Sequence, residues 1–149
     1  MAPYIHGQIE IKAFCLIRHD GKLLVSKGYD KTKQETFYRF LGGTVEFGET
    51  GEQAVVREIK EELGSGLIDV VRLDLIQNIF SYNNEERHQL TFLFEGTLLD
   101  ESLYTQELIQ IIDAPESRAV WLPIEEVLSG KAILYPTYDY SKIFGESSQ

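Results

Sequence analysis

"GGTVEFGETGEQAVVREIKEELG", residues Gly42 to Gly64, joins two glycines to a short segment crowded with carboxylates. Thr50 followed by Gln53 is a capping-box pattern, and Val55, Ile59 and Leu63 recur at helical spacing, so the pattern predicts a helix from about Gly51 to Leu63. Gly64 and Gly66 supply its stop. On that helix Glu58, Glu61 and Glu62 share one face, beside the apolar stripe. Like charges a turn apart repel by about 0.2–0.5 kcal/mol per pair in an isolated helix. A solvated acidic face is the ordinary outcome in an acidic protein. A divalent cation gives the crowding a purpose, because Mg²⁺ takes hard oxygen ligands, typically one or two carboxylates plus water and substrate phosphates. Loaded with metal, the acidic face would attract phosphate.

Outward from this helix the pattern changes to strands. Before it, "QIEIKAFCLI" and "LLVSK" flank an Asp20-Gly21 turn, and after the polar loop "YDKTKQET" the aromatic strand "FYRFLGG" leads into the helix. Glycines at that point let backbone approach a ligand. Beyond Gly66, "LIDVVRLDLIQNIFSY" and "RHQLTFLFEGTLL" flank "NNEE" and read as two long antiparallel strands joined by a turn. "LYTQELIQIIDAPES" fits helix or strand equally well. "RAVWLP" reads as a last strand, "IEEVLSG" as a short helix begun by Pro123, and "DYSKIFGESSQ" as a terminal helix that frays. Strands and helices in this order indicate an α/β fold of the α+β type, a sandwich with a mixed sheet.

The chain has 149 residues, 43% of them hydrophobic, which suits one domain over residues 1–149 with a single core. A net charge of −10 argues against a nucleic-acid polymer as partner, because an extended phosphate surface needs clustered Lys and Arg. An anionic substrate therefore needs a local cation. The single cysteine, Cys15, lies in the apolar run "AFCLI" and reads as a buried structural thiol suited to a reducing compartment. There is no signal-like start and no run of roughly 20 apolar residues, so the expected location is the cytoplasm, without membrane contact.

Counted from Gly43, five residues lead to Glu49, seven more to Arg57, and then follow Glu58, Ile59, Lys60, Glu61, Glu62, Leu63 and Gly64. This order, G-x5-E-x7-R-E-U-x-E-E-x-G, resembles the signature box of the Nudix hydrolases, the MutT-like enzymes that cleave nucleoside diphosphates linked to another group. The aliphatic residue that usually closes the box is replaced by Ser65, and Leu67 is expected to supply its packing. "FLGG" and "VWLPIEEV" extend the resemblance over most of the chain and imply the family's α/β/α sandwich.

The resemblance implies roles residue by residue. Glu58 and Glu62 become metal ligands, Glu61 shares the cluster or acts on the water, and the Gly43 carbonyl completes the shell. Glu49 supports a second metal or the hydrogen-bond network, and Arg57 holds the carboxylates in place. The implied cofactor is Mg²⁺, with Mn²⁺ able to substitute. It would lower the pKa of bound water and spread the charge developing on the diphosphate. Many family members add an acid outside the box, shortly before a tryptophan strand; here Glu116 is the first candidate and Asp113 the second.

A base would stack on aromatics, and Tyr29, Phe37, Tyr38, Phe80 and Tyr82 lie near the box. Tyr82, Phe37, Tyr38 and Arg39 are the candidate substrate-binding residues. In the family's subgroups a proline shortly past the box marks ADP-ribose hydrolases, and a tyrosine near the same place marks dinucleoside polyphosphate hydrolases. Tyr82 stands at that place and no proline occurs between Leu67 and Ala114, which favours a nucleoside triphosphate or dinucleoside polyphosphate over ADP-ribose. His88 reads as a surface or turn residue at a strand start. The competing reading is a catalytically silent Nudix-fold module that senses a nucleotide; such modules typically lose box carboxylates, which this chain keeps. Dimerisation is common in the family, so a homodimer is a further expectation.

Overall fold

Thr50 Oγ1 accepts from the Gln53 amide at 3.1 Å and the Gln53 side chain accepts from the Thr50 amide at 2.9 Å, closing the capping box that starts helix α1, Gly51–Leu63. Gly64 ends it in the left-handed conformation at φ 71°, its N–H reaching the Lys60 carbonyl. These details come from a computed structural model, which describes residues 5–145. The last four residues of the expected terminal helix lie outside the described residues.

Among the described residues nine strands form one mixed sheet: β1 Ile9–Leu16, β2 Arg18–His19, β3 Lys22–Asp30, β4 Glu35–Thr44, β5 Leu67–Tyr82, β6 Glu85–Leu98, β7 Leu108–Gln110, β8 Arg118–Pro123 and β9 Leu134–Tyr135. The main order is β5-β6-β1-β4-β3-β8-β7, with β2 on β3 and β9 on β4. The two turns expected from sequence are present. Asp20 and Gly21 both have positive φ, as do Asn83 and Asn84, which suits the twist of tight hairpins. The pairing of β1 with β6 is parallel, as is that of β4 with β9, and the rest of the ladder is antiparallel.

Alternation along the strands divides the core between two faces. Ala13, Cys15, Ile17, Leu24 and Leu41 pack with Ala54, Val55, Ile59 and Leu63 of α1. On the other face Phe14, Leu16, Leu23, Val25 and Phe40 pack with Val127 and Leu128 of α2, Ile124–Leu128, and with Ile143 and Phe144 of α3, Ser141–Phe144. The sheet is thus sandwiched between helices. Each fully buried aliphatic side chain contributes about 1.5–3 kcal/mol by leaving water. Cys15 is fully buried in the α1-side core, and burial pushes its thiol pKa up, so it packs as a small apolar group.

The ambiguous segment resolves into a 3₁₀ turn, Glu101–Thr105, then β7 and a loop. Leu67 joins the core beside Leu63, as expected from the substitution at Ser65. Ser65 is itself buried at 2% exposure: its hydroxyl donates to the Gly66 carbonyl at 2.8 Å and accepts from the Asp100 amide at 3.0 Å. The polar loop after β3 is shorter than its sequence suggests, and it is tied down by the buried Asp30. That carboxylate accepts from the amides of Thr32, Lys33 and Asn83, joining this loop to the β5–β6 turn. Among the described residues no helix is long and apolar enough to cross a membrane.

Candidate active site

The helix places two glutamates under the Gly-Gly strand end. Glu58 and Glu62, one turn apart, are buried at 1% and 4% exposure, while Glu61 lies at the rim with a 42% exposed side chain. The two glycines make that approach possible. Gly42 sits at φ 141°, where a Cβ would fall 2.1 Å from the Ala13 carbonyl oxygen, and its N–H donates to Glu62 Oε1 at 2.9 Å. At Gly43 a Cβ would fall 2.5 Å from Glu58 Cδ. Only a residue without a side chain leaves Glu58 its place there.

Arg57 is the hub of the cluster. Its Nε and Nη2 donate to the two oxygens of Glu49 at 2.7 and 2.9 Å, a bidentate pair. Its Nη1 donates to Glu58 Oε2 at 2.9 Å and to both oxygens of Glu61 at 3.1 and 3.2 Å, and Nη2 also reaches the Thr44 carbonyl at 3.0 Å. One cation thereby fixes three carboxylates and the strand end. The hydrogen bonds from Arg57, with a further one from the Glu46 amide, hold the Glu49 carboxyl down at about 2. Burial acts the other way on the helix: it raises the Glu58 carboxyl and pushes Glu62 up to about 8. In both, desolvation disfavours the charged form.

Glu58 Oε1 is buried and has no hydrogen-bond partner. Buried carboxylate oxygens are normally satisfied, so this one points to a missing cation or donor. Glu58, Glu61 and Asp113 each offer an oxygen, and these atoms lie within 4.8 Å of one another. A hard-oxygen set of this kind fits a divalent cation such as Mg²⁺.

Of the expected ligands, Glu58 and Glu61 are brought together, and Asp113 joins them from the loop between β7 and β8. Glu62 accepts from the Gly42 amide through Oε1 and lines the neighbouring cleft, near enough to Glu58 and Asp113 for their charges to help raise its pKa. Glu116, placed ahead of Asp113 by the sequence reading, is exposed and stands outside the carboxylate group. The reason is local. Ser117 N–H bonds to the Ala114 carbonyl and Ala114 N–H to the Ile111 carbonyl, so the loop turns between the two acids.

The cleft beside the cluster has a volume of about 570 Å³. Its lining includes Lys12 and Phe14 of β1, Phe80 and Tyr82 of β5, Arg87 and Gln89 of β6, Ser26 and Gly28 of β3, and Phe37 and Arg39 of β4. Asp113 and Glu62 also line it, so cleft and carboxylates are continuous. Phe37 meets Tyr82 and Tyr135 edge-on at 5.6 and 5.3 Å, and Phe80 stacks on Tyr135 at 5.6 Å. Three of the four sequence candidates, Phe37, Arg39 and Tyr82, therefore converge here. Tyr38 does not: strand alternation sends it to the opposite face, where it packs against the core with Phe40. His88 lies within β6 opposite Ile79, its ring nitrogen 3.2 Å from the Gln77 amide nitrogen.

The sequence reading missed Lys12, Gln89 and Tyr135. Lys12 is 7% exposed, bonded to Thr44 Oγ1 at 3.1 Å and paired with Glu10 at 3.4 Å, and burial lowers its pKa. Glu10 also receives Arg87 and Gln89. A lysine within the otherwise apolar end of a strand, "EIKAF", was the available signal. Tyr135 carried none, because β9 is two residues long and exists only by pairing with β4.

The family model for the NUDIX domain matches residues 9–140. The chain belongs to the Nudix family. Its box coincides with α1 and the strand end before it. Among curated proteins this Nudix chain is 43% identical over 56 residues to the CTP pyrophosphohydrolase of Escherichia coli strain K12, a match covering 38% of this chain and 41% of that protein. It is also 43% identical over 61 residues to the ADP-ribose pyrophosphatase of Methanocaldococcus jannaschii, covering 41% of this chain and 34% of that one. The matched stretches thus span less than half of either relative. In fold, the chain is similar to the MutT NUDIX hydrolase from Burkholderia pseudomallei, with a TM-score of 0.62 at 20% identity over 95% of this chain and 99% of that one.

Proposed function

We propose that this Nudix protein hydrolyses the diphosphate linkage of a nucleoside diphosphate-X compound with the help of a divalent cation. The observation that carries the reading is the buried, partnerless Oε1 of Glu58 within a carboxylate group that opens onto the cleft. Glu58, Glu61 and Asp113 would hold the cation, with Glu62 close behind and the Gly43 carbonyl as a further donor. Bound there, Mg²⁺ would supply a water of lowered pKa and neutralise charge on the diphosphate. Mn²⁺ meets the same ligand preferences.

The chain's own residues do the positioning. Arg57 keeps Glu58 and Glu61 aimed and Glu49 ionised, and the Gly42 amide orients Glu62. The aromatic rings of the cleft offer stacking faces for a base, while the bound divalent cation would supply the local positive charge that an acidic protein needs to receive an anionic substrate. A nucleoside triphosphate or dinucleoside polyphosphate is favoured over ADP-ribose by Tyr82, which lines this cleft. The relatives' names include both a CTP and an ADP-ribose enzyme, and this chain's preference rests on its own residues.

The test is phosphate and pyrophosphate release from a panel of nucleoside triphosphates, dinucleoside polyphosphates and ADP-ribose with millimolar Mg²⁺, then Mn²⁺. Turnover abolished by EDTA and by Glu58→Gln is the expected result. A panel that yields no product with either metal overturns the proposal.

A further inference from the structure

Arg39 stands out in the cleft wall. Its Nε is buried and has no hydrogen-bond partner, although folded proteins rarely leave such a donor unmet. The guanidinium lies over the Phe14 ring, 5.3 Å from its centroid, so that ring covers one side of the group. Along the same face of β4 sits Phe37, and across the ladder Arg39 is opposite Tyr135. A planar cation with a donor to spare therefore lies against one ring, in a cleft that Phe37 and Tyr135 also line.

We propose that Arg39 is a specificity-determining residue that selects the base of the substrate by its acceptor edge; this rests on the nucleotide reading of the cleft. A flat base stacked on the aromatic rings would bring its edge to the guanidinium. A planar fork of donors pairs best with two adjacent acceptors. Guanine presents such a pair at O6 and N7, and cytosine at O2 and N3. Adenine sets a donor, its exocyclic amine, beside each ring acceptor on that side, and uracil interrupts its two carbonyls with an N–H. The cleft thus favours guanine or cytosine nucleotides and rejects adenine and uracil ones. Lys12 does not replace Arg39 in this role, because its ammonium is engaged by Glu10 and Thr44.

The experiment is equilibrium binding of GMP, CMP, AMP and UMP to the intact chain in EDTA, where neither metal nor turnover contributes. GMP or CMP is expected to bind about ten- to a hundredfold more tightly than AMP and UMP, and Arg39→Gln to erase the gap while leaving AMP binding within about threefold. Arg39→Lys keeps the charge without the fork and is expected not to restore the gap. Analogues lacking the acceptor, 7-deaza-GMP and 3-deaza-CMP, read the same contact on the unaltered chain if the variants fold poorly. The proposal is overturned if AMP binds as tightly as GMP and CMP. It is overturned equally if Arg39→Gln weakens all four ligands alike, which would make Arg39 a phosphate contact. Absence of base discrimination in the unaltered chain with Mg²⁺-dependent turnover intact defeats this inference alone; a silent turnover panel defeats the hydrolase reading.

Discussion

The Arg57 guanidinium grips both oxygens of Glu49 through parallel hydrogen bonds of 2.7 and 2.9 Å, and the same group reaches back along its own helix to Glu58 and Glu61. A loop acid and a helix face are thereby locked to each other by one side chain. Arg57→Lys keeps the charge but loses the fork. It should lower kcat/KM about a hundredfold through misplaced carboxylates while lowering Tm by only about 3 °C, which steady-state kinetics and thermal melts would show.

The two glycines at the end of β4 should separate stability from activity. Alanine at Gly42 meets backbone at 2.1 Å in a left-handed conformation, and Gly42→Ala should cost about 3 kcal/mol or more in urea melts. Alanine at Gly43 meets only the movable end of the Glu58 side chain. Gly43→Ala should cost less than about 2 kcal/mol yet reduce turnover at least about tenfold.

Asp113 and Glu116 are three residues apart and should behave differently. Asp113→Asn is expected to weaken Mn²⁺ binding about tenfold by titration calorimetry, and Glu116→Gln to change it less than about twofold. Equal losses in both variants would place Glu116 in the cation site as well.

Burial sets a pH dependence in the metal-free protein. Glu62 has a folded-state pKa near 8 against an ordinary 4.5, so between those values the unfolded chain has released a proton that the native chain retains. The stabilisation is therefore complete below about pH 4.5 and declines as pH rises toward 8. In EDTA, Tm should fall on the order of 5 °C across this window, and Glu62→Gln should flatten the profile.

Ser65 replaces the aliphatic residue that usually ends the box. Its hydroxyl satisfies the Asp100 amide, so Ser65→Leu should destabilise the fold by about 1–3 kcal/mol despite adding apolar bulk, as chemical denaturation would measure.

How much of this was legible in the sequence follows from how local each feature is. The α1 boundaries could be read from Thr50, Gln53 and Gly64 because a capping box and a left-handed stop are made within one turn of chain. The Asp20-Gly21 and Asn83-Asn84 turns were legible for the same reason. Tyr38 was misplaced because listing aromatics near a motif ignores the two-residue period of a strand, which sends Phe37 and Arg39 one way and Tyr38 the other. Asp113 ranked behind Glu116 because distance along the chain says little about which loop acid ends beside Glu58 and Glu61.

By itself, the sequence determined the family box, the helix that carries it and the division of its glutamates into constrained and free positions, since all of these depend on spacing along one element. Only the tertiary structure decided what faces them. The parallel pairing of β1 with β6 and the return of β9 to β4 bring Lys12, Gln89 and Tyr135 into one cleft with Arg39 and Phe37. Those contacts join residues far apart in sequence, and the buried Glu58 Oε1 and Arg39 Nε are left without partners. The chain order of amino acids can place a carboxylate on a helix face, but burial by neighbours from other elements is what desolvates it and raises its pKa.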